Sequence, residues 1–550
     1  MIGSRTDIVA VGRPVASARM QGALWPRLGV RGSEALLVFG VIAAAAVAAA
    51  VMLYRNDPSS FLYFGDAVSH LTLSRLLVDS RTPGIDQIGT VWLPLPHLLY
   101  LPAALVDGFF FSGIAGPVIG IPLLAGLGAL LFSILRMLDV PKWIGAFSAL
   151  LFTLNPNMLY MALTPMTEVL LLFFVTLSAY LLLKWVHEAR ERFLPLAALA
   201  IACASLCRYE AWLCVPFLFV LAVRHARKKW YEGFYNRAFI ALSSAALVTL
   251  GITFWLLWNY FRYHDALMFM HWVELLPAPD AAESVPMKIG RFETARLLGL
   301  ALRLIYGPFV LIAAGWAVVR HIRRRFDEKT LLILVFLSLP GVFSLAAIML
   351  GYAEVDQWRW NWRFMLMPGL FLVSTAALGF REMFAAFPSR AARLAVVLGA
   401  LAIPVIQITM PSVGVSTYID AKKGMAEETL SAEQAGMALK DADVPASAAL
   451  VTGFGQAQRI MIAGGRPLKS YSYITKPGDD ALAKPLWQDE AYVVLAKQTK
   501  PESQGLVRHW LARRDVLLAH YAIVHEDEYF LVLKLSPART PYQAQDRARR

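Results

Sequence analysis

Runs of roughly twenty apolar residues recur along the chain, parted by short segments rich in arginine, lysine, proline or aromatic residues. A helix of about 20 such residues crosses a hydrocarbon core about 30 Å thick. The pattern predicts eleven spans, near 35–54, 113–135, 142–157, 165–184, 193–207, 210–223, 238–258, 297–319, 330–350, 363–380 and 394–411. After residue 411 the pattern changes to shorter apolar runs between polar helical stretches, as in a segment that folds in water.

Composition agrees: 58% of the 550 residues are hydrophobic and only 17% are charged, against about 25% charged in soluble domains. A wholly soluble protein is excluded. The net charge of +13 suits a nucleic-acid partner only if it is spread over a soluble surface, and here it follows the loops instead. With the N-terminus in the cytoplasm, the clusters Arg5 to Arg31, Arg224 to Arg237, Arg320 to Lys329 and Arg381 to Arg393 all fall on the cytoplasmic side. The opposite connections, although longer together, hold fewer basic residues, so count and orientation support each other.

The expected architecture is a mostly α-helical polytopic membrane protein of about 11 transmembrane helices with a small C-terminal α/β soluble domain. Residues 1–34 form a basic cytoplasmic N-terminus, 35–411 the membrane part, 412–536 an outer-face α/β unit, and 537–550 a basic tail expected to be disordered. The first span follows basic residues as a signal peptide does, but its length favours an uncleaved anchor. In the C-terminal unit the pattern predicts helices near 420–441, 456–463 and 503–513. It places strands at Ala448 to Phe454, at Tyr492 to Lys497 and on either side of Glu526 to Glu528. Gly453, Phe454 and Gly455 lack the third glycine and acidic partner of a dinucleotide fingerprint. Cys203, Cys207 and Cys214 read as small buried hydrophobes, without ligand partners at metal spacing.

The candidate chemistry gathers on the outer side. The loop 55–112 is far longer than a chain reversal needs, and loops of that length are usually functional. It runs through Asp66, Ala67, Val68, Ser69 and His70 into an apolar spacing at Leu73, Leu76 and Leu77. That spacing predicts an amphipathic interfacial helix presenting Asp66 and His70 on one face. The proline-spaced Trp92 to Pro102, with His97, predicts an irregular stretch at the outer leaflet. Glu168, the pair Arg208 and Glu210, Arg262, and Arg359 and Arg363 beside Glu354 and Asp356 stand at other outer helix ends. Ionisable groups there carry a functional expectation. Interfacial ion pairing is the bland alternative for the arginine clusters, and an N-terminal helix cap is the bland alternative for Asp66.

A carboxylate can take the proton of an attacking hydroxyl, and guanidinium groups can hold a phosphate bidentately as its charge grows. With apolar and aromatic walls, these parts suit transfer of a sugar from a lipid-linked phosphate to a hydroxyl. A transporter of a lipid or polar solute is the alternative, but its ionisable groups would sit near mid-membrane, where Arg303 alone is a candidate.

The order of these features resembles the GT-C superfamily of polyprenyl-phosphate-sugar-dependent glycosyltransferases. They are Asp66 to His70 in the first outer loop, then Trp92 to Tyr100, then Thr167 and Glu168 opening an apolar helix. The branch it resembles holds the protein O-mannosyltransferases and the aminoarabinose transferase of lipid A, and the likeness spans residues 35–411. It implies a hexosyl- or pentosyltransferase working by inversion at the periplasmic face of a bacterial inner membrane. Asp66 matches the presumed catalytic base of that branch, while Ala67 stands where the branch has a glutamate. The resemblance further implies that the arginines hold a polyprenyl-phosphate donor and that His70, His97 and Glu168 contact substrate. The acceptor is then a lipid, a polysaccharide or a protein. A divalent metal on Asp66, Glu168 and His70 or His97 is an open possibility carried by some relatives.

Overall fold

The structure, a computed structural model, describes residues 32–88, 91–271, 290–324, 327–350, 362–387, 389–409, 416–425, 427–440, 447–473, 486, 490–497 and 504–536. Both expected tails lie largely outside these residues, as do Arg359, Glu354 and Asp356.

The helices follow in order as α1 (Gly32–Asn56), α2 (Gly65–Leu76), α3 (Leu95–Ala104), α4 (Asp107–Ser112), α5 (Ala115–Met137), α6 (Lys142–Thr153), α7 (Pro156–Leu163), α8 (Glu168–Glu188) and α9 (Phe193–Ser205). Next come α10 (Cys214–Tyr231), α11 (Tyr235–Tyr263), α12 (Met268–His271), α13 (Arg291–Tyr306), α14 (Pro308–Arg324), α15 (Glu328–Leu350), α16 (Gly369–Ala386) and α17 (Arg390–Thr409). The C-terminal unit holds α18 (Thr417–Lys423), α19 (Glu427–Lys440), β1 (Ala448–Val451), α20 (Phe454–Gly464), β2 (Tyr471–Tyr473), β3 (Tyr492–Ala496), α21 (Gln504–Leu511), α22 (Arg514–His520), β4 (Tyr521–Glu526) and β5 (Phe530–Leu535).

Among the described residues, eight helical segments are long and apolar enough to cross a membrane. Two bent pairs, α6 with α7 and α13 with α14, and the shorter α9 account for the other three predicted spans. Large apolar side chains cover the outward faces, among them Leu36, Leu37 and Met52 on α1 and Leu394, Leu398 and Ile408 on α17. Exposed apolar stripes on helices this hydrophobic belong against lipid. The expected straight span at 297–319 is instead two helices meeting at 105°. Gly307 takes φ +83 and Pro308 follows it, a pair that cannot continue a helix. Arg303 therefore sits in the last turn before the bend, exposed, rather than at mid-span.

Several close helix contacts depend on glycine. A Cβ at Gly120 of α5 would overlap the Ala162 carbonyl of α7, and one at Gly379 of α16 would overlap the Ala313 carbonyl of α14. Small residues let membrane helices approach backbone to backbone.

The C-terminal sheet has the order β2-β1-β3-β5-β4, with β1 parallel to β2 and β3, and β5 antiparallel to β3 and β4. β1 and β3 are buried throughout, the signature of central strands covered on both faces. β4, at one edge, is largely exposed and carries a bulge between Ile523 and His525.

Two expectations for the outer loop are corrected. The helix expected to float at the interface, α2, is buried from Ala67 to Leu76. Val68, Leu71, Leu73 and Leu76 share one hydrophobic core with Ile460 and Met461 of α20 and Leu450 of β1. The sheet unit covers the face that would otherwise meet water. The stretch expected to be irregular contains α3, because Pro94 and Pro96 stand at its start, where the first N–H groups need no helical partner. Polar contacts fasten the loop to the sheet unit: Arg81 donates to both oxygens of Glu490 at 2.8 and 3.1 Å, and Arg459 donates to the Tyr63 carbonyl at 2.9 Å.

Ending the chain at residue 416 would strip α2 of that cover. Each buried Val or Leu is worth about 1.5 to 3 kcal/mol, so exposing several removes more than a marginal helix can lose. Limited proteolysis is expected to cut the truncated protein within 55–112 while the full chain resists. Equal resistance would show that α2 stands without the sheet.

Candidate active site

The site is assembled by four helix ends. Asp57 accepts from Ser59 N at 2.8 Å and from the Tyr63 hydroxyl, closing the turn Pro58–Leu62 and aiming the chain into α2. Phe64 occupies the cap position of α2 with no side-chain capping bond, so Asp66, in the first turn, is not the helix cap. Its carboxylate instead accepts from Arg363 Nη2 at 2.6 Å. Arg363 lies in the turn Trp362–Leu366 that precedes α16. Its guanidinium sits between the rings of Phe64 and Phe364, 5.6 and 5.5 Å from their centroids.

Glu168 opens α8 with no solvent exposure. It accepts from Arg208 Nη1 at 2.8 Å and lies 3.9 Å from Arg363 Nε. Arg208 precedes the turn Tyr209–Leu213 and forks onto Glu210, with Nε and Nη2 at 3.1 and 2.7 Å from Oε1; Nη1 also donates to Thr167 Oγ1 at 2.9 Å. Three carboxylates thus face two guanidinium groups. Tyr100 of α3, buried, donates to the Met166 carbonyl at 2.9 Å and fixes the approach to Glu168.

Beside this cluster, His70 Nδ1 and His97 Nε2 lie 3.1 Å apart, with Trp92 edge-on to His70 at 5.2 Å. Both imidazoles are buried, at 3% and 0% exposure, and His97 Nδ1 has no hydrogen-bond partner. Two buried rings sharing one hydrogen bond cannot both be cationic. Burial, with the nearby arginines and against the pull of Asp66, takes His70 down to about 4; burial and His70 take His97 well below its ordinary value. For Asp66, burial works against the charge, but Arg363, then His70 and Arg208 outweigh it and hold the carboxyl below its usual range.

A pH prediction follows from the histidines. Groups depressed in the folded state bind more protons when unfolded, so their contribution is complete above pH 6.5 and is lost as pH falls toward 4. The melting temperature is expected to drop across that window in the wild type and to drop less in His97→Phe. Parallel profiles would show that the pair does not titrate with unfolding.

The structure brings together Asp66, Glu168, Arg208, Glu210 and Arg363, with His70 and His97 adjoining. Arg262 stands apart, ion-paired to Asp86 at 3.2 Å on a more exposed patch. Arg359 lies outside the described residues. His97 is fully enclosed and packs its imidazole against that of His70. Sequence reasoning had assigned no work to Phe64 and Phe364; aromatic residues beside the charged positions were the only signal. Among the described residues no three His, Cys, Asp or Glu side chains converge to hold a metal. The residues proposed for a metal do not fit one: Asp66 and Glu168 are engaged by arginines, and His70 Nδ1 faces His97.

A family profile described as dolichyl-phosphate-mannose-protein mannosyltransferase matches residues 120–269. The solved structure of ArnT from Cupriavidus metallidurans in the apo state superposes with a TM-score of 0.50 at 14% identity, covering 91% of this chain and 99% of that one. The same protein bound to undecaprenyl phosphate superposes with a TM-score of 0.50 at 13% identity, with the same coverage. The chain shares the fold of ArnT, and part of it matches the mannosyltransferase profile. Comparison with curated protein sequences gives no match. The profile takes in Glu168, Arg208, Glu210 and Arg262, while Asp66, His70, His97 and Arg363 lie outside it. The geometry alone unites the two sets.

Proposed function

We propose that the chain is a membrane glycosyltransferase moving a sugar from a polyprenyl-phosphate donor to a hydroxyl acceptor, with Asp66 as the general base. The observation that carries this is a carboxylate kept ionised yet 38% exposed, set against a guanidinium at 2.6 Å in an otherwise buried charged cluster. The partial match to a mannosyltransferase profile supports the reaction class. A relative solved with undecaprenyl phosphate, and a family profile that names a polyprenyl-phosphate sugar, support the donor class.

In this reading the acceptor hydroxyl gives its proton to Asp66 as its oxygen bonds to the anomeric carbon. The bond from that carbon to the phosphate oxygen breaks, and its electron pair leaves with the polyprenyl phosphate, beside the arginines. Glu168 and Glu210 are committed to Arg208, which leaves Asp66 as the accessible acid of the cluster. One displacement inverts the anomeric carbon. The donor sugar is a hexose or pentose, and the acceptor is a lipid, polysaccharide or protein at the periplasmic face of an inner membrane, with the N-terminus cytoplasmic. The positive-inside pattern supports that orientation. Transport finds no support, since the ionisable cluster sits at helix ends of a transferase fold.

The test is incubation of the full chain with a panel of labelled polyprenyl-phosphate hexoses and pentoses. The reading predicts label in a new glycoside of inverted anomeric configuration. Retained configuration would overturn the single displacement, and unchanged donors throughout would overturn the enzyme.

A further inference from the structure

The two arginines of the cluster are not equivalent. Every nitrogen of Arg208 already bonds a carboxylate: Nε and Nη2 meet Glu210, and Nη1 meets Glu168 and Thr167. Arg363 makes one such bond, from Nη2 to Asp66. Its Nη1 reaches only the Met166 sulfur at 4.0 Å, and its Nε, enclosed and 3.9 Å from the Glu168 carboxylate, makes no hydrogen bond. A buried cationic N–H without a hydrogen bond is costly, and its persistence beside an open acid points to a ligand. The partner that Arg363 does have is the most accessible acid of the three. The Asp66 side chain is 38% exposed, against 0% for Glu168 and 7% for Glu210.

We infer that Arg363 is an exchange clamp: it holds Asp66 while the site is free of donor, and the donor's phosphate displaces the carboxylate, occupies Arg363 and releases Asp66 to act as base. This rests on the donor class proposed above and assigns the phosphate site within it. The rings of Phe64 and Phe364, both within cation–π reach, would keep the guanidinium in place when its carboxylate leaves. A phosphate offers several oxygens to the planar fork, where Asp66 now takes one donor. Arg208 is then a positioning residue that fixes Glu168 and the floor of the site.

The exchange also balances charge. Before transfer the donor is a phosphodiester with one negative charge and Asp66 carries another. Afterwards the polyprenyl phosphate carries two and Asp66, holding the acceptor's proton, carries none. The proton transfer that makes the nucleophile therefore removes the carboxylate's claim on Arg363 just as the phosphate's claim doubles.

The experiment measures binding of a short-chain polyprenyl phosphate to the full chain in nanodiscs. Asp66→Asn removes the competing anion, so its affinity is expected to rise by about tenfold over wild type. Arg363→Gln is expected to weaken binding by at least that factor, and adding Asp66→Asn to it should bring no gain. Asp66→Ser serves as a second variant should the amide disturb folding, with the same expected gain. Affinity that is unchanged or lower in both Asp66 variants, or a gain that persists without Arg363, would overturn the clamp. Sugar transfer by the wild type is scored separately: transfer without the affinity gain sinks the exchange alone, and the gain without transfer sinks the enzyme reading alone.

Discussion

Arg208→Ala is expected to leave little folded protein. Its side chain is 14% exposed and serves Glu168 and Glu210, which are 0% and 7% exposed. Removing one partner from a buried charged group costs about 3 to 5 kcal/mol, because the remaining charges stay without compensation. Glu210 loses its ion-pair partner and Glu168 keeps only Arg363, at 3.9 Å, and the Thr167 N–H, while the whole stability of a domain is only about 5 to 15 kcal/mol. Arg208→Lys should rescue poorly, since an ammonium cannot fork onto Glu210 while reaching Glu168 and Thr167. Accumulation and melting temperature in detergent read this out. An alanine variant that accumulates and melts like the wild type would remove Arg208 from the framework of the site.

Asp66→Asn separates chemistry from architecture. The amide keeps the shape, and the position is open enough that folding should survive. Sugar transfer is expected to fall about a thousandfold, within the 10² to 10⁴ that a general base supplies, or about 4 kcal/mol of activation free energy. Binding of the polyprenyl phosphate should persist. Single-turnover transfer at saturating donor checks it, and transfer within a factor of ten of wild type would move the base elsewhere.

The membrane part was legible because its signal is local. A run of apolar residues of spanning length declares itself, so each of the eleven runs corresponds to a helix or a bent pair. Bends were less visible: the Gly307 and Pro308 pair was present in the sequence, yet the apolar run continued through it. The burial of α2 could not be read from its own residues. Its partner α20 lies nearly four hundred positions away, as the bond from Ser69 to Gln458 shows. The three-residue β2 and the short α22 carry too little pattern to announce themselves.

For the site, residue types and helix-end positions were readable, and pairings were not. Asp66 and Arg363 are 297 positions apart, and nothing in either segment names the other. The helix spacing that put His70 on the face of Asp66 was correct in register, but His97 approaches from α3 and takes the imidazole inward. Arg262 matched by type and by helix-end position alone, and it stands apart because Asp86 claims it.

The central claim is attack on the anomeric carbon, with the phosphate leaving on its lipid. It is tested most directly with a donor whose bridging oxygen, between sugar and phosphate, carries a heavy-oxygen label. Mass spectrometry of both products after transfer shows which bond broke. The account predicts the label on the released polyprenyl phosphate and none in the glycoside. Label in the sugar product would mean cleavage at phosphorus, and would contradict glycosyl transfer at Asp66.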